Sequence, residues 1–253
     1  CRYSCRVVGI EAQRKENFYE FERDSDMVSC YNNSIGINRP HDPSEEGVCK
    51  RMIRTRSVTD DMVWVGASDR RLALFENIFP VPRGVSYNSY LLLDEKTVLF
   101  DSVDQSVSRT FLENISASLD GRSLDYIVID HMEPDHCSVL EELLASYPNA
   151  AVVGNAKTFV MIEQFYSPLA EARRVVVRDG ETLSTGRHCL KFFTAPMVHW
   201  PEVMVCFDES NGVLFSADAF GAFGAMAGNI FADELPIQQE WLPDMRRYYA
   251  NIV

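Results

Sequence analysis

No C-x-x-C pair occurs among the seven cysteines of this 253-residue chain. That spacing is the one that would mark a zinc ribbon or a thioredoxin-type redox motif, so neither is supported. Free thiols in a reducing cytoplasm are the simplest reading of an odd cysteine count. No apolar run approaches the ~18 residues of a membrane helix, and no secretory signal is read at the start. Cations are scarce: 24 Lys and Arg stand against 37 Asp and Glu, a formal net charge of −13. Nucleic acid and anionic membrane both select basic surfaces, so neither is expected as a partner. Histidine is scarce too, at five residues, His41, His131, His136, His188 and His199. No repeat or low-complexity tract is present.

What the chain does have is a concentrated stretch, His131-Met132-Glu133-Pro134-Asp135-His136, with four metal-capable side chains in six positions. Residues 125–130 before it are short, apolar and β-branched, a buried strand. After it, Val139, Leu140, Leu143 and Leu144 fall at helical spacing, and Pro148 follows. The stretch is therefore a strand-to-helix loop, where rigid scaffolds place ligands and catalytic groups. Two imidazoles and two carboxylates suit iron, manganese or zinc. One ion rarely takes four ligands from six consecutive residues, so two metals sharing the loop is the easier geometry. The plain alternative is a solvated polar turn in which Asp135 only caps the next helix. Cys137, beside it, reads as a small core residue.

Residues 1–51 form an irregular or disordered extension, or sequence upstream of a natural start at Met52. They hold four of the seven cysteines, Cys1, Cys5, Cys30 and Cys49, and show turn chemistry at 32–36 and 38–43. The spacing of these cysteines and His41 fits no compact metal site. Residues 52–253 form the main domain. Strands are expected at 62–65, 72–75, 87–93 and 97–100, the last two joined by a turn at 94–96. A helix is expected over 107–119, stopped by Asp120-Gly121. Then follow strand 151–153, helix 156–165, strand 174–178 and strand 190–198. Strands 203–207 and 213–215 make a hairpin around Asn211-Gly212. A final helix spans 241–252. Meanders mixed with strand–helix alternation predict an α/β fold of mixed sheets covered by helices.

Two further candidates sit at strand ends. His199 lies in Thr194-Ala-Pro-Met-Val-His-Trp-Pro201, and Asp218 follows 213–217. Alone, His199 reads equally well as a core histidine and Asp218 as a helix cap. Their shared placement with the cluster favours one site. His188, in the turn Thr185-Gly-Arg-His188, is read as a surface residue.

H-x-E-x-D-H, the later His-Trp-Pro and Ser216-Ala-Asp-Ala-Phe-Gly221 resemble the diiron domain of flavodiiron proteins. Tyr87-Asn-Ser-Tyr-Leu91 and Tyr248-Tyr-Ala-Asn-Ile-Val253 extend the resemblance over about residues 60–253. It implies a metallo-β-lactamase-like αββα sandwich. It implies one iron on His131, Glu133 and His199, a second on Asp135 and His136, and Asp218 bridging. Family members reduce O2 to water, NO to N2O, or both, fed by FMN from the partner in a head-to-tail homodimer. A rubredoxin-like protein is the implied donor. The family's second iron takes another histidine downstream, and a flavodoxin-like FMN domain follows. Neither is found after His199, so the resemblance implies a C-terminally truncated chain that holds its second iron weakly and does not turn over alone. The competing reading is a zinc hydrolase of the same superfamily, which carries histidine where Glu133 stands. A non-enzymatic domain with an incomplete, structural site is the third.

Overall fold

The computed structural model describes residues 6–7, 54–167, 169–170, 173–236 and 241–253. The cysteines and turns of the first 51 residues, His41 and Met52 lie outside the described residues, apart from the strand β1 (Arg6–Val7). The next strands are β2 (Arg56–Ser57), β3 (Met62–Trp64), β4 (Ala67–Asp69), β5 (Leu74–Phe75), β6 (Phe79–Pro80), β7 (Val85–Tyr87), β8 (Tyr90–Leu93) and β9 (Thr97–Phe100). Helix α1 (Ser108–Leu119) leads to β10 (Tyr126–Val128), α2 (Pro134–Cys137), α3 (Leu140–Ser146), β11 (Ala151–Gly154) and α4 (Ala156–Phe165). Strands β12 (Arg174–Val176), β13 (Thr182–Ser184), β14 (Cys189–Thr194), β15 (Met204–Asp208), β16 (Val213–Phe215) and helix α5 (Leu242–Asn251) complete the order.

Two sheets carry the architecture. The larger runs β12-β11-β10-β9-β8-β3-β2. Its β9 to β12 half is parallel and its β9 to β2 half antiparallel. The smaller runs β1-β16-β15-β14-β13, antiparallel except where β1 lies parallel to β16. The mixed α/β expectation is met for a simple reason. The chain alternates hairpins, which need only a short turn, with strand–helix–strand crossovers, which parallel pairing requires.

Strands at the centre of the larger sheet are buried on both faces, and successive residues serve different cores. Leu99, Ile127 and Val152 point to a core shared with Phe111 and Ile115 of α1 and with Phe159 and Ile162 of α4. Val98, Phe100, Val128 and Val153 point the other way, to a core shared with Leu190, Phe192, Met204, Cys206, Val213 and Phe215 of the smaller sheet. Helices, sheet and sheet thus stack in layers. Among the described residues no helix is long and apolar enough to cross a membrane.

The local stops follow the sequence. Asp120 and Gly121 both adopt positive φ, 46° and 85°, and end α1. The Asn211-Gly212 turn closes the β15–β16 hairpin, with Gly212 at φ 68° and its N–H donating to Asp208 at 2.9 Å. Asn155 caps α4, its side chain accepting from the N–H groups of Lys157 and Thr158.

Four expectations need correction. The strand expected over 190–198 ends at Thr194, because Pro196 interrupts the ladder. Residues 195–203 form an excursion closed by Ala195 N–H donating to Val203 at 2.8 Å, with a turn from Met197 N–H to Trp200 at 2.8 Å. The stretch 72–75 is a strand only at Leu74–Phe75, and 87–93 divides into the last residue of β7 and the whole of β8. His188 is buried at 3% exposure rather than on the surface, because two carboxylates, Asp61 and Asp208, enclose its ring.

Candidate metal centre

The site lies where several strands end. Beyond β9 comes Asp101, beyond β10 the stretch from Asp130 to His136, and beyond β16 Asp218. This is the rim where open α/β sheets bind ligands, because side chains from different strands converge there. His199 arrives from the excursion between β14 and β15, not from a strand end.

Four side chains offer atoms that lie within 4.8 Å of one another: His131, Glu133, His199 and Asp218. His131 Nε2 is 3.2 Å from Glu133 Oε2, 3.2 Å from His199 Nε2 and 3.3 Å from Asp218 Oδ2. His199 Nε2 is 3.0 Å from both Glu133 Oε2 and Asp218 Oδ2. Two imidazole nitrogens so placed, with two carboxylates around them, aim their lone pairs at one point, which is the geometry of a cation site.

A second set sits on the other oxygen of Asp218. Its Oδ1 is 2.9 Å from His136 Nε2 and accepts from Tyr248 Oη at 2.6 Å. Asp135 Oδ1 stands 4.0 Å from His136 Nε2, buried and without a hydrogen-bond partner. An unpartnered buried carboxylate oxygen costs free energy that a cation would offset. The plain reading of Asp135 as a helix cap fails here. The residue before α2 is Glu133, and its side chain makes no cap either.

The electrostatics agree. Burial opposes charge on His131, yet its hydrogen bonds to Glu133 and Glu202 raise it to about 9. Burial raises Asp135 to about 7, assisted by Asp218 and Glu133. Asp218 is held well below the usual carboxylate range against burial, chiefly by His136 and then by its hydrogen bonds to His136 and His199. Positive charge is strongly favoured in this enclosure. Cys137 takes no part: burial pushes its thiol up to about 12, and its Sγ donates to the Met132 carbonyl.

All six residues singled out from the sequence, His131, Glu133, Asp135, His136, His199 and Asp218, come together. His188 bonds elsewhere, to Asp61 and Asp208. The sequence reading missed the groups behind them. Asp101 Oδ2 faces His136 Nδ1, Glu202 Oε1 faces His131 Nδ1, and Trp200 meets the His131 ring edge-on at 5.3 Å. Glu76, in a left-handed turn at φ 50°, has its carboxyl raised by burial and by a hydrogen bond to Glu133. Asp101 carried a usable signal, an acid directly after an apolar strand. Beside the second set lies a cavity of about 110 Å³ bounded by Tyr87, Phe100, Asp135, His136, Phe215 and Tyr248.

Residues 85–253 match the profile of the family described as ODP family beta lactamase. The anaerobic nitric oxide reductase flavorubredoxin of Salmonella arizonae is 38% identical over 198 residues, 78% of this chain and 41% of that protein. Its counterpart in Klebsiella pneumoniae is also 38% identical over 78% of this chain and 40% of that protein. Among solved structures, the flavodiiron protein of Giardia intestinalis superposes with a TM-score of 0.73 at 29% identity, over 79% of this chain and 48% of that one. Rubredoxin:oxygen oxidoreductase of Desulfovibrio gigas gives 0.72 at 33% identity, over 78% and 48%. The chain spans less than half the length of these relatives.

Proposed function

This chain belongs to the ODP-family beta-lactamases, and from that footing we propose that it is the diiron portion of a flavodiiron reductase acting on NO, O2 or both. The relatives that support this are named as nitric oxide reductase and rubredoxin:oxygen oxidoreductase. One observation carries the reading: Asp218 turns Oδ2 to His131 and His199 and Oδ1 to His136. A carboxylate whose two oxygens serve two neighbouring donor sets is placed to bridge two ions.

In this reading His131, Glu133 and His199 would hold one iron and Asp135 and His136 the other, with Asp218 placed between the two sets. The donor set fits: nitrogen and carboxylate oxygen, no thiolate, and the partnerless Asp135 oxygen in need of a cation. The iron pair, when bound, supplies the electrons and open positions at which a diatomic molecule is reduced. The chain's own groups do the rest. Glu202 and Asp101 accept from the outer ring nitrogens of His131 and His136. Tyr248 donates a hydrogen bond to Asp218, and burial and that carboxylate hold the phenol well above its usual range, so it stays protonated. By the family resemblance, FMN on a flavodoxin-like domain of the partner in a head-to-tail homodimer would supply electrons to the centre, with a rubredoxin-like protein as its donor. A cytoplasmic location accords with the free thiols of Cys137, Cys189 and Cys206.

The second reading is a zinc hydrolase. Glu133 weighs against it, since an additional carboxylate in place of imidazole favours a harder ion than zinc. Anaerobic expression with iron, followed by metal analysis and Mössbauer spectroscopy, decides between them. One firmly held iron on the His131–Glu133–His199 side, with a second, more loosely held iron coupled to it, is the expected result. Tight zinc binding with hydrolysis of a thioester or lactam, and no retained iron, would overturn it.

A further inference from the structure

Glu202 is a buried acid outside every ligand set above, with a side chain 0% exposed. Both of its contacts fall on one oxygen. Oε1 accepts from His131 Nδ1 at 2.8 Å and from the backbone N–H of Met132 at 2.9 Å, while Oε2 has no partner among the described residues. A carboxylate this deep is costly unless its charge is answered. Among the described residues, the imidazole it bonds is that of His131.

The location is specific. Glu202 stands three residues after His199, on the excursion that delivers His199. That excursion is tied down independently. The Glu202 carbonyl accepts from the Asn155 side chain that caps α4, and the Pro201 carbonyl accepts from Lys157 Nζ at 3.1 Å. One side chain therefore ties the segment bearing His199 to the loop bearing His131 and Glu133. With Nδ1–H of His131 donating to Glu202, the Nε2 lone pair is left facing Glu133, His199 and Asp218. A ligating histidine is commonly fixed in this way by a hydrogen bond at its other nitrogen.

We infer that Glu202 is a positioning residue of the metal centre, fixing the tautomer and rotation of His131 and thereby how tightly the first position holds its ion. The inference rests on the ligand set proposed above. Glu202→Gln is the informative variant. It keeps the shape and an acceptor for both N–H groups but removes the charge that opposes loss of the ion. Glu202→Asp keeps the charge and shortens the reach.

The test uses Co(II) as probe, followed by its visible spectrum and by competition with a chelator on the folded protein. Glu202→Gln should bind Co(II) about 10- to 100-fold more weakly, the usual cost of losing an outer partner, with a shifted spectrum. Glu202→Asp should recover part of that loss. A measurement on the unaltered chain stands beside these: in the Zn(II)-loaded form, ¹⁵N NMR should show His131 protonated at Nδ1. Wild-type affinity and spectrum in Glu202→Gln, or ligation of His131 through Nδ1, would overturn the inference while leaving the metal site standing. No Co(II) uptake by the wild type would overturn the ligand set itself.

Discussion

Asp101 Oδ2 lies 2.9 Å from His136 Nδ1, and its Oδ1 accepts the backbone N–H of Asp130 at 2.7 Å. One carboxylate thus aims the second histidine of the cluster and closes the turn that starts it. Asp101 adopts φ 53°, a left-handed conformation that asparagine tolerates well. Asp101→Asn should therefore fold. Its weaker hold on His136 should release metal selectively from the second position. Chelator titration of the iron-loaded variant should strip the second ion at a lower chelator concentration than in the parent, while the first ion is held as firmly as in the parent.

Tyr248 donates from a buried position to Asp218 Oδ1 at 2.6 Å, and its ring meets Phe223 edge-on at 5.2 Å. Tyr248→Phe keeps the ring contact and removes the hydroxyl. Loss of a hydrogen bond to a charged acceptor should cost about 1.5–3 kcal/mol. Urea unfolding of the metal-free proteins measures it. A midpoint equal to wild type would show that the hydroxyl contributes nothing.

His188 gives a pH dependence with a definite sign. Burial works against its charge, but its bonds to Asp61 at 3.0 Å and Asp208 at 2.7 Å outweigh burial and raise its pKa. Arg187, which pairs with Asp61 and Asp94, completes the charged surroundings. A raised folded pKa contributes stability that is complete below the unfolded value, ~6.5, and is lost as pH rises through the folded one. The stability difference between wild type and His188→Gln should thus be largest in mild acid and shrink toward alkaline pH. Paired urea curves across that range test it, and a difference that grows with pH would refute the assignment. Subtracting the variant cancels the titrations shared by the metal site.

Phe100 of the larger sheet and Phe215 of the smaller stack with ring centroids 3.6 Å apart and planes within 5°. Both are nearly inaccessible, at 2% and 4% exposure. Phe215→Ala should cost about 3–5 kcal/mol, the range for emptying a buried aromatic site. Because Phe215 also bounds the cavity beside His136 and Asp218, metal retention should fall with stability. Thermal unfolding and metal content measured together check both.

The sequence alone determined the elements whose causes are local. A β-branched run, an apolar stripe at helical spacing and Asn211-Gly212 each act through neighbours a few residues away, so helix 156–165 and the β15–β16 hairpin were legible. The cluster from His131 to His136 was legible for the same reason: its density is a fact of sequence. The tertiary structure decided whatever depends on residues far apart in the chain. Glu202 meets His131 across 71 positions and Asp101 meets His136 across 35. No local pattern marks such partners, because an acid in a loop reads the same whether it faces water or an imidazole. His188 was misread on that account: its turn sequence suggests solvent, but Asp61, 127 positions away, closes over its ring. The end of β14 shows the same limit. Pro196 takes the chain out of the ladder after Thr194, but where the excursion goes, carrying His199 to the cluster, is set by the Glu202 and Asn155 contacts that only the folded chain brings together.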